Sequence, residues 1–295
     1  MPDLSPPPPH IGIFDSGIGG LSVLRALRRQ WPQARCTYIA DARFTPWGDR
    51  PAAWVVARCL QLTEHLLADG VDLVLVACNT ASTQAIAVLR QRWPDRPFVG
   101  VEPGIKPAAA ASRNGRVAVL ATTGTLQSPR LAQLVADHGG NVVLLHLPCP
   151  GLAEAIEQAS AGNAALHHRL DEIAARLRAA AVDTVVLGCT HYPLVAGALQ
   201  ARLGPGVLLV DTAEAVARQV VRLSSRLSSQ PSLPMPCRQP AACSGPGPSI
   251  RLLSTGPSAP LQQAARRWLD PASLAETMHL PDPDPTLAGP QPPSA

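Results

Sequence analysis

Lysine is almost missing from this 295-residue sequence: Lys106 is the only one among 25 lysines and arginines. Chemistry built on a lysine Schiff base, pyridoxal phosphate included, therefore has a single candidate position. Charge is sparse as well, at 16% of residues with a net charge of +4. The basic residues are scattered, and no basic run interleaved with aromatics marks a nucleic-acid surface. No apolar stretch reaches the roughly 20 residues that a bilayer-spanning helix needs. Neither C-x-x-C nor H-x-x-x-H spacing is present to support a zinc site. Seven cysteines, an odd number at irregular spacing, make no disulfide framework and fit a reducing compartment. Residues 1–10 are Pro-rich and lack the basic and apolar regions of a signal peptide, so they are expected to form a disordered leader. A cytoplasmic protein follows from these absences.

What is present is one stretch written twice. Val71-Asp72-Leu73-Val74-Leu75-Val76-Ala77-Cys78-Asn79-Thr80 returns, 111 positions on, as Val182-Asp183-Thr184-Val185-Val186-Leu187-Gly188-Cys189-Thr190-His191. Each copy is an apolar run closed by a small residue, a cysteine and two polar residues. Such a run suits a buried parallel strand. Its polar end then falls at the strand's carboxyl terminus, where open α/β sheets hold their ligands.

The remaining elements repeat too. Strands are expected at 11–14, 36–40, 71–76 and 98–102, and again at 117–121, 142–147, 182–188 and 207–210. Helical periods fill about 51–69, 82–92, 151–160, 164–180 and 214–227. An internal duplication of βα units is the economical reading: an α/β fold of two similar parallel-sheet domains with a site in the cleft between them. The first domain would comprise 11–103 plus 212–280, since a late strand at 250–253 and a helix near 259–269 follow both repeats. The second would comprise 104–211. Residues 228–249, rich in Pro, Ser and Gly, read as a flexible loop, and 281–295 as a disordered tail.

The matched cysteines carry the chemistry. A thiol before a helix meets unpaired N–H groups that favour thiolate. Two sulfurs facing each other across a cleft can take a proton from one face of a tetrahedral carbon and deliver one to the other, as inversion demands. One thiolate and one thiol would be the working state, because two adjacent anions resist forming. A single buried cysteine after a strand is ordinarily inert packing, and Cys36, Cys59, Cys149, Cys237 and Cys243 are read that way. Cys78, Cys189 and His191 as zinc ligands are the other alternative. Asn79-Thr80 and Thr190-His191 offer amide, hydroxyl and imidazole groups for a carboxylate, and His191 can balance the proton of Cys189. Asp15-Ser16 supplies an anion for a substrate ammonium, or simply caps a helix.

These strings together resemble the glutamate racemases of the cofactor-independent aspartate/glutamate racemase superfamily. The likeness runs through Asp15-Ser16-Gly17-Ile18-Gly19-Gly20, Ala77-Cys78-Asn79-Thr80-Ala81-Ser82, Glu102-Pro103-Gly104, Ala121-Thr122-Thr123-Gly124-Thr125 and Gly188-Cys189-Thr190-His191-Tyr192-Pro193-Leu194. It implies interconversion of L- and D-glutamate without a cofactor, supplying D-glutamate for peptidoglycan, in a homodimer. By the same resemblance Cys78 and Cys189 are the acid/base pair. Asp15, Ser16, Asn79, Thr80, Thr190 and His191 bind substrate with the loop of Trp47 and Gly48, and Thr125 assists. That loop reads Pro-Trp-Gly where the family has Pro-Tyr-Gly. A racemase of aspartate or another amino acid, or a catalytically silent binding protein, is the alternative outcome.

Overall fold

The computed structural model describes residues 9–158, 163–229, 250–270, 273–284 and 286. Its strands form two sheets, parallel throughout. In the first, β1 (His10–Asp15), β2 (Arg35–Ala40), β3 (Leu73–Val76) and β4 (Phe98–Gly100) stand in the order β2-β1-β3-β4. In the second, β5 (Arg116–Ala121), β6 (Val143–Pro148), β7 (Thr184–Leu187) and β8 (Leu208–Val210) repeat it as β6-β5-β7-β8. The repeat extends to single hydrogen bonds. Ala77 N–H donates to the Phe14 carbonyl at 2.8 Å, and Gly188 N–H to the Leu120 carbonyl at 2.7 Å. Cys78 and Cys189 each follow one residue later, at equivalent points beyond β3 and β7.

The two cysteine strands, which read as continuous apolar runs, are interior ones. β1, β3 and β7 are buried along their whole length, between helices on both faces of each sheet. β6 is an edge strand, and its Val143 is exposed. After the second repeat the chain returns to the first sheet, where β9 (Ile250–Ser254) pairs with β2. A further strand, β10 (Ala275–Thr277), pairs with β9. Its sequence, Ala-Glu-Thr, is too short and polar to announce a strand.

Other boundaries also differ from the sequence reading. β1 begins at His10, inside the stretch expected as leader. The helix expected from about residue 82 begins at Asn79, so Cys78 itself is the N-cap of helix Asn79–Arg92. The buried face of its first turn is Asn79, Thr80 and Ser82, polar residues that hide the helical period. After Cys189 the chain makes a 3-10 turn, Tyr192–Val195, before helix Ala196–Leu203. Pro193, with no N–H to give, sits in that turn. The expected loop at 228–249 lies largely outside the described residues, as do Cys237 and Cys243. Of the expected tail, 281–284 and 286 are described. Lys106 is exposed on helix Ile105–Ala111, just past the Glu102-Pro103-Gly104 crossover between the sheets.

A fully buried ion pair ties the late segment to the first sheet. Arg58, from helix Ala52–Ala68, grips Asp41 with Nη2–Oδ1 at 2.6 Å and Nε–Oδ2 at 3.0 Å, and both side chains are inaccessible. Asp41 also accepts from Thr255 Oγ1 at 2.7 Å and Trp47 Nε1 at 3.2 Å. Arg58 donates onward to the Pro281 carbonyl at 2.8 Å and lies over the Phe44 ring. Removing one member leaves the other charged and dry. Arg58→Ala is therefore expected to cost about 3–5 kcal/mol, measured as a lower urea midpoint at unchanged m-value.

Candidate active site

The carboxyl ends of the two sheets face each other. At the centre is Asp15, the last residue of β1, completely buried. Its Oδ1 accepts from Ser16 N–H at 2.7 Å and Ser16 Oγ at 3.2 Å. Its Oδ2 accepts from Gly20 N–H at 2.5 Å and, from the other sheet, Thr190 Oγ1 at 3.2 Å. Burial pushes its carboxyl pKa up, against the pull of His191's charge, the Cys78 side chain and the N–H groups of Gly20 and Ser16. Further bonds cross the cleft: Ser22 Oγ to the Thr190 carbonyl, Ile18 N–H to Glu157 Oε1, and Gly124 N–H to the Gly48 carbonyl.

Both cysteines are buried here, and each acts electrostatically on its surroundings in a different way. Cys78 Sγ lies 3.8 Å from Ser16 Oγ. Desolvation and the charge of Asp15 drive its thiol pKa well above the ordinary value, with the charge of Cys189 adding to the effect. The N–H of Ala81, in the first turn of the helix that Cys78 caps, and the Ser16 hydroxyl work the other way. Cys189 Sγ lies 3.7 Å from His191 Nδ1. His191 Nε2 meets Glu157 Oε1 at 2.6 Å. Burial opposes the imidazolium, yet the bonds to Cys189 and Glu157 outweigh it, so the His191 pKa stands well above 6.5.

The remaining residues of the sequence reading divide into two groups. Asn79 and Thr80 are buried in the first turn after Cys78, and Asn79 Nδ2 has no partner among the described residues. Thr80 Oγ1 reaches across to Thr122 Oγ1 at 3.0 Å and Thr125 Oγ1 at 3.5 Å. Gly48 closes on the same turn, where a Cβ would lie 2.8 Å from the Thr122 side chain. Trp47 differs: its ring is 1% exposed, bonded to Asp41 and edge-on to Trp54, so it faces the protein interior. Any ligand contact of Trp47 runs through its backbone. Cys36, Cys59 and Cys149 are buried, with thiols pushed up chiefly by desolvation.

Glu157 carries no motif that singles it out, and the sequence reading passed over it. Thr122 lies within the Ala121–Thr125 string, which assigns it no role of its own, and follows β5 as Ser16 follows β1. No group of three His, Cys, Asp or Glu side chains among the described residues is arranged to hold a metal. No described helix is long and apolar enough to cross a membrane.

Two duplicated parallel sheets, meeting at their carboxyl ends around paired thiols, define an α/β enzyme of the racemase class. The chain belongs to the Asp/Glu/Hydantoin racemase family, whose sequence model matches residues 21–220. It is 45% identical over 225 residues to a glutamate racemase of Ectopseudomonas mendocina, covering 75% of this chain and 86% of that one. It is 41% identical over 280 residues to a glutamate racemase of Cupriavidus pinatubonensis, covering 95% and 98%. Among solved structures it resembles Escherichia coli glutamate racemase in complex with L-glutamate and an activator, at TM-score 0.75 and 30% identity over 92% of this chain and 99% of that one. A Bacillus anthracis glutamate racemase matches at TM-score 0.75 and 27% identity, covering 92% and 97%. These relatives support glutamate racemase activity.

The site leaves little room for added atoms. A Cβ on Gly19 would lie 2.7 Å from Cε1 and 2.8 Å from Cγ of His191. Gly19→Ala is expected to push the imidazole off Cys189 and Glu157 and lower turnover about 100-fold. Circular dichroism should stay near wild type, since φ at Gly19 is not in the left-handed region.

Proposed function

We propose that this protein racemises glutamate by direct proton transfer between two thiols, and that in the cell it supplies D-glutamate for peptidoglycan. The observation that carries the proposal is the pair of buried cysteines at equivalent strand ends, set in unequal surroundings. Burial and Asp15 favour Cys78 as a thiol, whereas Cys189 faces an imidazole whose pKa is raised. A substrate Cα–H placed between them loses its proton to one sulfur and gains one from the other on the opposite face. The carbanion's charge spreads into the α-carboxylate. The unpartnered Asn79 Nδ2 and the cluster Thr80, Thr122 and Thr125 suit a substrate carboxylate. Asp15, with Ser16 and Thr190, suits the ammonium. Gly48 and the Trp47 backbone suit the second carboxylate, and His191 with Glu157 keeps the charge on Cys189 in balance.

In this reading 11–103 with 212–280, and 104–211, are the two domains that close on the substrate. The working form is a cytoplasmic homodimer. The L-glutamate bound by the Escherichia coli relative supports glutamate over aspartate.

Solvent deuterium incorporation at Cα, followed by NMR for each glutamate enantiomer, tests the mechanism. Exchange with inversion is expected in wild type, with a loss of at least about 100-fold in Cys78→Ala and in Cys189→Ala. No exchange in wild type would refute the activity, and equal exchange in wild type and both variants would refute the two-thiol route. The His191 shift also sets a stability trend. A folded-state pKa above the unfolded value stabilises fully below about 6.5 and is lost as pH rises through the raised value. Thermal midpoints are accordingly expected to fall on the alkaline side in wild type, and to fall less in His191→Gln.

A further inference from the structure

Tyr38 lies on β2, away from both thiols in sequence and wholly buried. Its hydroxyl donates to the Gly17 carbonyl at 2.6 Å. The same peptide unit presents the Ile18 N–H, which donates to Glu157 Oε1 at 2.7 Å across the cleft. That oxygen also meets His191 Nε2 at 2.6 Å, and His191 Nδ1 faces Cys189 Sγ at 3.7 Å. A chain of contacts therefore runs from the first sheet, through one peptide bond, to the sulfur at the end of the second. Three of its side chains, Tyr38, His191 and Cys189, are buried, and Glu157 is nearly so.

The physical consequence is directional. A donor on a peptide carbonyl fixes the tilt of that peptide plane and polarises its N–H, and in a dry site such bonds reinforce one another. Burial, with the charges of Asp15, Glu157 and Cys78, holds the Tyr38 phenol protonated, so it acts only as a donor toward the carbonyl. The glycine is part of the device. A Cβ at Gly17 would collide with the Glu157 carboxylate, so only glycine lets the peptide approach it. The hydrogen-bond partner of Cys78 is instead the Ser16 hydroxyl, and Cys78 bears on the Tyr38 phenol only through its charge.

We propose that Tyr38 is a positioning residue for the Cys189 half of the reaction, acting through the Gly17–Ile18 peptide, Glu157 and His191. The proposal rests on the two-thiol reading. Without the Tyr38 hydroxyl the peptide is free to rock, Glu157 loses its fixed donor, and His191 no longer keeps one ring orientation toward Cys189. Proton transfer at Cys189 then slows more than transfer at Cys78, whose Ser16 partner lies outside this chain of contacts.

The test is Tyr38→Phe, which keeps the ring and deletes the hydroxyl. Racemisation of both enantiomers is expected to fall about tenfold, as thermodynamic balance requires for the two directions. The primary isotope effect from Cα-deuterated substrate should rise for one enantiomer only, the one deprotonated by Cys189. Glu157→Gln should raise it for the same enantiomer, and Tyr38→Phe should add nothing further in that background. An equal rise for both enantiomers, or full additivity with Glu157→Gln, would overturn the proposal. Wild type that exchanges no Cα proton would instead overturn the two-thiol reading itself. If Tyr38→Phe does not fold, 3-fluorotyrosine incorporated into a Tyr192→Phe background alters the Tyr38 donor alone, since the chain has only two tyrosines. A one-sided change in isotope effect is again the expected result, and a two-sided or absent change the refuting one.

Discussion

A carboxylate with no water around it must find its hydrogen bonds in the protein, and Asp15 finds four. Three come from its own turn and one from Thr190, on the far side of the cleft. That last bond makes the buried charge a property of the closed molecule and not of either sheet alone. Were the sheets to part, Asp15 would lose a donor, Glu157 would lose the Ile18 N–H, and Ser22 would lose the Thr190 carbonyl. The desolvated charges in this site are thus held by contacts that exist only when the two halves meet, and opening would let water in to replace them.

Duplication explains where the thiols are, and departure from it explains how their surroundings differ. The strand orders match and the ladder bonds at Ala77 and Gly188 match. The residues that set protonation do not. Asp15 ends β1 where Ala121 ends β5, so only one of these two matched strand ends brings a carboxylate. Cys78 caps an α-helix, whereas Cys189 enters a 3-10 turn and has an imidazole beside it. Equivalent positions with opposed electrostatics suit two roles that must alternate between donor and acceptor.

Much of this was legible in the sequence. Continuous apolar runs marked the two cysteine strands, and their cysteine-plus-polar endings pointed to the candidate site. Legibility failed where burial is produced by tertiary contact. Arg58 reads as a solvent-facing helix residue and is among the most buried in the chain. Asn79, Thr80 and Ser82 hid the first turn of their helix because its inner face is polar. Glu157 sits in an ordinary amphipathic stretch, and only the fold brings it to His191. Trp47 stood out as a departure in a binding loop, yet its ring is spent on Asp41 and Trp54. Glu157 and His191 stand 34 positions apart, and no local pattern encodes their pairing.

The near-absence of lysine, first useful for what it excluded, has a practical side. Lys106 projects into solvent on the helix that follows the crossover between the sheets. Apart from the chain's own amino terminus, it is the sole primary amine. An acylating dye can therefore be attached at one defined internal point, beside the first of the two passages of the chain between the sheets.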